Sequence, residues 1–148
     1  MQEHERAQLY RHIVENAPDA VIFADRNGAI QLWNSGAEAV FGYTAQEAIG
    51  QSLDLIVPER QRDQHWAGYD RVMESGETKY GRDLLAVPAM HKNGTRISIE
   101  FSIVLVKDSG GKVEGIAAIM RDVTKRWNEE RQTRRRLAEL ERQAGARP

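Results

Sequence analysis

Between Gly115 and Met120 the chain carries no polar side chain and no helical spacing. A run that is apolar on both phases fits a strand at the centre of a sheet. Asp122 and Thr124 then interrupt it. Both residue types accept hydrogen bonds from free backbone N–H groups at a helix start, and a polar helical sequence continues from there to Pro148. The pattern predicts a central strand running through a two-residue cap into a protruding helix, so that a ligand shifting the strand can move the helix.

The rest of the pattern supplies the elements around that strand. Leu9, Ile13 and Ala17 recur at helical spacing beside Tyr10 and Val14, and Pro18 ends the segment. This amphipathic helix must cover either the outer face of the sheet or the same helix of a partner. Asp19 to Asp25 and Ala29 to Trp33 read as two strands of a hairpin turned at Asn27-Gly28. Asn34 and Ser35 are cap candidates for a short helix through Ala37, Val40 and Phe41, which Gly42 stops. Thr44 and Glu47 have capping-box spacing for another one-turn helix, closed by Gly50. Pro58 opens a longer helix to about Ser75, with Gly76 just past its end and His65, Tyr69 and Val72 or Met73 on one face. Gly81 to His91 reads as an edge strand broken by Pro88. After the Asn93-Gly94 turn, Ile97, Ile99, Phe101, Ile103 and Leu105 alternate with Arg96, Ser98, Glu100 and Ser102, which predicts a strand with one buried face. Asp108 to Gly111 turns the chain into the last strand. The expected fold class is α+β, with helices on one side of a five-stranded antiparallel sheet.

Charge and composition narrow the functions. The 148 residues carry a formal net charge of -1, which excludes a generally basic nucleic-acid surface, yet the tail from Thr124 holds about +4 against about -5 elsewhere. Cysteine is absent, so disulfides, thiolate metal sites and cysteine nucleophiles are excluded. No apolar run approaches a membrane span and the amino terminus is charged rather than signal-like, so a cytoplasmic protein without membrane insertion is expected. Neither a Ser/His/Asp constellation nor a phosphate loop occurs, and His4, His12, His65 and His91 have no metal-ligand spacing. No catalysis is expected.

Several motifs occur in order: Asp19-Ala20-Val21-Ile22, Asp25-x-x-Gly28, Trp33-Asn34, Ala37-x-x-x-Phe41-Gly42-Tyr43, Glu47-x-x-Gly50, Lys92-Asn93-Gly94 and Arg121-Asp122-Val123-Thr124. Together they resemble a PAS sensor domain over roughly Glu15 to Thr124. The resemblance implies a PAS fold, an N-terminal helix at 1–17, a sensor domain at 18–124 and a C-terminal signalling or coiled-coil helix at 125–148. It also implies that Arg121, Asp122 and Thr124 form the junction to an output module or dimerising coil, as in a transcription regulator or a two-component histidine kinase.

Three occupants of such a domain remain open from the sequence. The first is a small apolar or amphipathic molecule in a cavity lined by Val21, Phe23, Leu53, Tyr69, Ile99, Phe101, Ile103 and Met120. The second is haem. Val57-Pro58-Glu59, His65, Tyr69 and Arg71 resemble the haem-binding PAS domains of rhizobial oxygen-sensor kinases, which implies His65 as the proximal iron ligand. The distal arginine of that family has no counterpart in register: Leu85 falls there and Arg82 is displaced. A non-covalent flavin, with Trp33 or Trp66 stacked on its ring, is a lesser expectation. No occupant at all would leave a packed core and a dimerisation module. In the tail, Trp127, Leu137, Leu140 and Ala144 give a broken apolar seam beside Glu130, Arg134 and Glu141, which favours a homodimer helix over a DNA contact through Arg134 to Arg136.

Overall fold

A computed structural model describes residues 1–146. The expected C-terminal helix extends to Pro148, whose last two positions lie outside the described residues. In chain order the elements are α1 (Glu3–Asn16), β1 (Ala20–Asp25), β2 (Ile30–Trp33), α2 (Ser35–Phe41), α3 (Ala45–Ala48), two 3-10 turns (Leu53–Leu55 and Glu59–Gln61), α4 (Arg62–Ser75), β3 (Leu85–Met90), β4 (Arg96–Lys107), β5 (Val113–Asp122) and α5 (Thr124–Gly145). The five strands form one antiparallel sheet in the order β2-β1-β5-β4-β3. β5 is central, where its doubly apolar sequence placed it.

Local chemistry explains the punctuation. Asp25 accepts from the backbone N–H groups of Asn27 and Ala29 and from Gln31, and Gly28 takes φ 77°, which closes the β1–β2 hairpin. Burial alone would raise the Asp25 carboxyl, but these bonds outweigh it and hold it below its ordinary value. Asn34 caps α2 through the Ala37 N–H, and Gly42 ends that helix in the left-handed region. At α3 both halves of the Thr44–Glu47 capping box form.

Two expectations change. The long helix does not begin at Pro58: that residue caps a 3-10 turn, and α4 starts at Arg62. Pro88 does not break its strand either. β3 runs through it paired with β4, because an edge strand can present the missing N–H to its open side.

The core lies between the inner face of the sheet and α2, α3, the 3-10 turns and α4, with Ile22, Ile30, Phe41 and Val113 at its most enclosed points. The outer face stays open, since Val104 is 51% and Ile119 36% exposed. The apolar stripe of α1 is exposed as well. Every residue of α1 keeps some solvent exposure, and its Leu9, Tyr10 and Ile13 are exposed, as are Trp127, Leu137 and Leu140 of α5.

Candidate functional site

Cross-strand register gathers a row of inward side chains at the middle of the sheet. Ala118 of β5 lies opposite Ile22 on one side and Ile103 on the other, and Met120 lies opposite Phe101. Under this row α4 stands away from the sheet and leaves a cavity of about 1160 Å³. Its walls are Ile22 and Ala24 of β1, Ile99, Phe101 and Ile103 of β4, Ile116, Ala118 and Met120 of β5, and Leu53 and Ile56. The cavity opens past Tyr80 and Val87, which are 38% and 40% exposed although both line it. Its size slightly exceeds the roughly 300–1,000 Å³ usual for small-molecule sites.

Of the residues expected at this cavity, Leu53, His65, Tyr69, Ile99, Phe101, Ile103 and Met120 line it. Val21 and Phe23 do not, and here the expectation is corrected. Both phases of β1 are apolar, so the sequence could not say which one faces inward; the pairing turns Ile22 and Ala24 in and sends Val21 and Phe23 to the outer face. There the Phe23 ring covers Gly115, where an added Cβ would lie 2.6 Å from the ring. Leu85, opposite Phe101, lines the cavity from β3.

The cavity wall opposite the sheet is formed by Gln61, the last residue of the second 3-10 turn, and by His65, Tyr69 and Val72 of α4, with Gly68 beside them. Tyr69 spans the cavity end and donates its hydroxyl to the carbonyls of Ala24 (3.1 Å) and Asp25 (2.5 Å). Burial, and then the nearby Asp25 charge, push its ionisation well above the ordinary tyrosine range, so it remains a neutral donor. Burial likewise lowers the His65 pKa, with Asp54 opposing more weakly, and the imidazole is neutral at neutral pH. The ring stands edge-on to Trp66, centroids 4.6 Å apart, and tilted to Tyr69 at 5.9 Å. Two polar atoms of these residues, Gln61 Oε1 and His65 Nδ1, are buried with no hydrogen-bond partner among the described residues. Sequence reasoning missed Gln61, which stands between Arg60 and Arg62 in the sequence and reads there as surface.

Neither tryptophan lines the cavity. Trp33 donates to the Tyr43 carbonyl at 2.9 Å and packs on Phe41. Trp66 donates to Asp54 at 2.7 Å and seats its ring on Gly28, where an added Cβ would come within 2.1 Å. These contacts pin the start of α4 to the β1–β2 hairpin. Among the described residues no group of three or more His, Asp or Glu could hold a metal ion, and no helix is long and apolar enough to cross a membrane.

At the other end of β5 the junction residues bind back to the domain. Arg121 forks onto the two carboxylate oxygens of Asp19 at 3.0 and 3.1 Å, and the pair raises the arginine's pKa further. Asp122 accepts from the Thr124 N–H at 2.9 Å and from its hydroxyl at 2.5 Å. Thr124 was expected to cap the helix. It is instead the first helical residue, and its hydroxyl accepts the Ser98 N–H at 2.9 Å, while Val123 N–H donates to the Ser98 carbonyl at 2.9 Å. Arg126 pairs with Glu100 one turn further. The root of α5 is thus fastened to β4.

A second node ties in the amino-terminal helix, and it exceeds the cap role read for it. Asn34 is buried; its Oδ1 accepts from the N–H groups of Val21 and Ala37, and its Nδ2 donates to the carbonyls of Val14, Ala17 and Asp19. One side chain joins the end of α1, the start of β1 and the cap of α2.

Comparison with known proteins agrees with this geometry. The family model described as the PAS fold matches residues 8–123, and the chain belongs to that family. The sensor protein FixL of Bradyrhizobium diazoefficiens is 33% identical over 131 residues, covering 88% of this chain and 25% of the relative. The oxygen sensor protein DosP of Escherichia coli is 27% identical over 120 residues, covering 81% of this chain and 15% of the relative. The chain therefore spans a quarter or less of the curated relatives it matches here. The crystal structure of a PAS domain from Colwellia psychrerythraea superposes with a TM-score of 0.71 at 24% identity, covering 81% of this chain and 98% of that one. The fold is that of a PAS sensor domain, homologous to the sensor modules of longer signalling proteins.

Proposed function

We propose that this domain is a non-catalytic, ligand-responsive sensor whose cavity takes a small apolar or amphipathic molecule. Occupancy is passed along β5 and through Arg121, Asp122 and Thr124 to α5, which pairs with α5 of a second copy and leads to the output module of a longer parent. One observation carries this reading: the strand whose Ile116, Ala118 and Met120 form the cavity wall is the strand that continues into α5. A molecule pressing on those side chains acts on the root of the helix.

A second reading, haem with His65 as its iron ligand, is favoured by the neutral imidazole on an apolar wall and by the likeness to an oxygen sensor protein. The donor chemistry fits. When bound, haem would supply an iron able to take a diatomic gas; this chain would hold it through His65 and enclose it with Ile99, Phe101 and Ile103. Leu85 offers no hydrogen bond to such a gas.

An ultraviolet-visible spectrum before and after hemin is added under reducing conditions separates the two. A Soret band near one haem per chain that His65→Ala abolishes establishes the second reading. A spectrum that hemin leaves unchanged removes it, and melting with added apolar compounds then tests the first: ligand-dependent stabilisation supports a sensor. No shift with any compound would reduce the domain to a ligand-free dimerisation module.

A further inference from the structure

We propose that α5 of one copy of this chain lies antiparallel on the solvent side of α4 of a second copy, held by matched rows of charge. The helix that continues from β5 in one copy then rests on the helix that walls the cavity of the other. This goes beyond the sensor reading above and does not depend on the cavity being occupied.

The argument starts from spacing. α4 carries Asp63, Ala67, Asp70 and Glu74, and α5 carries Arg131, Arg135, Ala138 and Arg142. Steps of four, three and four residues put each set in one row along its helix. All eight residues are exposed, and none of the six charged ones makes an ion pair among the described residues. Arg131 lies over the Trp127 ring, 5.3 Å from its centroid. The α4 row faces away from the side on which His65 and Tyr69 line the cavity, and only Glu74, at the helix end, reaches the cavity rim.

Laid antiparallel, the two rows match at every place. Asp63 meets Arg142, Ala67 meets Ala138, Asp70 meets Arg135 and Glu74 meets Arg131. The two alanines fall opposite each other, so the helices can approach closely there, between pairs of opposite charge. Laid parallel, the same rows give two ion pairs and set Ala67 against Arg135 and Asp70 against Ala138. Opposed helix dipoles also favour the antiparallel arrangement.

The occupant is a second copy and not the same chain folded back. α5 runs unbroken from a root fastened to Ser98 and Glu100 of its own β4, and the described residues bury none of it. Arg135, Ala138 and Arg142 line one shallow groove with Glu139 and Glu141 at its sides, and those carboxylates disfavour a phosphate backbone in it. The row stands on the other side of α5 from Leu137 and Leu140, so it leaves their seam free.

The chain has no cysteine, so a disulfide introduced by substitution reads the contact directly. Chains carrying Ala67→Cys are mixed with chains carrying Ala138→Cys under mild oxidation at low salt. The mixture should form linked pairs well beyond either substituted chain alone, and about 1 M salt should suppress them. Arg135→Glu in the Ala138→Cys chain should slow linking about fivefold or more, the scale of one exposed ion pair turned into a repulsion, and Asp70→Arg in the Ala67→Cys chain should restore it. Asp63→Cys should link to Arg142→Cys and not to Arg131→Cys, which lies about 16 Å away along α5.

A mixture that links no faster than its separate chains would overturn the proposal. Linking that ignores Arg135→Glu would do the same, because the contact would then owe nothing to the rows. A chain carrying both Ala67→Cys and Ala138→Cys that closes a disulfide within itself would overturn the second copy as occupant. Preference of Asp63→Cys for Arg131→Cys would overturn the antiparallel register. None of these outcomes bears on what the cavity holds.

Discussion

The two halves of the inner sheet face begin with similar material and end in opposite states. Under β1 and β2, the short helices α2 and α3 close down until Ile30, Ala37 and Phe41 lose all solvent contact. Under β4 and β5, with Ile22 and Ala24 of β1 at its margin, Ile99, Phe101 and Ile103 face a cavity. The strands do not make this difference. Gly36 sets α2 so close that an added Cβ would lie 2.1 Å from the Asp19 carbonyl, whereas α4 turns His65 and Tyr69 toward the cavity and stands off. Small residues on a helix close a layer, and long polar or aromatic ones hold it open.

Truncating one phenylalanine on each side gives the largest test of that contrast. Phe41→Ala should cost about 3–5 kcal/mol in chemical denaturation, the range for a fully packed aromatic, while Phe101→Ala should cost under about 2 kcal/mol because its ring already borders open space. Equal costs would mean that the second half is as tightly packed as the first. Next in size, Asn34→Ala should lose about 2–3 kcal/mol, since it removes a helix cap and strands several buried backbone groups. Asn34→Asp keeps the accepting oxygen and sharpens the test: a similar loss in that variant assigns the cost to the bonds holding Val14, Ala17 and Asp19.

The smallest effect belongs to the open half and depends on pH. The His65 pKa is lower in the folded chain than its ordinary value near 6.5, so between the two values the unfolded chain binds more protons. Its contribution is therefore complete above about pH 6.5 and is lost as pH falls toward the lower folded value. Melting temperature followed from pH 7.5 to 5 should fall more steeply for the parent than for His65→Leu. Parallel curves would show that the imidazole is as well solvated as in the unfolded chain.

Much of the fold was legible because its signals are local. Asn-Gly turns, the Thr44–Glu47 capping box and the alternation of β4 each have one physical reading, and each formed. The central place of β5 followed from its lack of polar residues. Where a segment is apolar on both phases, the face depends on pairing partners that the sequence does not display, and Val21 and Phe23 were assigned to the wrong side for that reason. The cavity residues of β4 were legible by alternation, and those of α4 by helical spacing. Gln61 was not, because a glutamine beside Arg60 and Arg62 looks like surface until its oxygen is found buried. Asn34 was legible as a cap; its links to Val14 and Asp19 bridge more than a dozen residues and leave no mark in the sequence.

Asp19 links two distant parts of the chain. Its backbone carbonyl is held by Asn34, which also grips the end of α1, and its carboxylate is held by Arg121, the last stretch before α5. The end of α1 and the strand end that leads into α5 are thus joined by one chain of side-chain bonds. The Asp19 contact meets the bonds that tie the start of α5 to Ser98 and Glu100 of β4, so the strand end before α5 is held from both neighbouring strands.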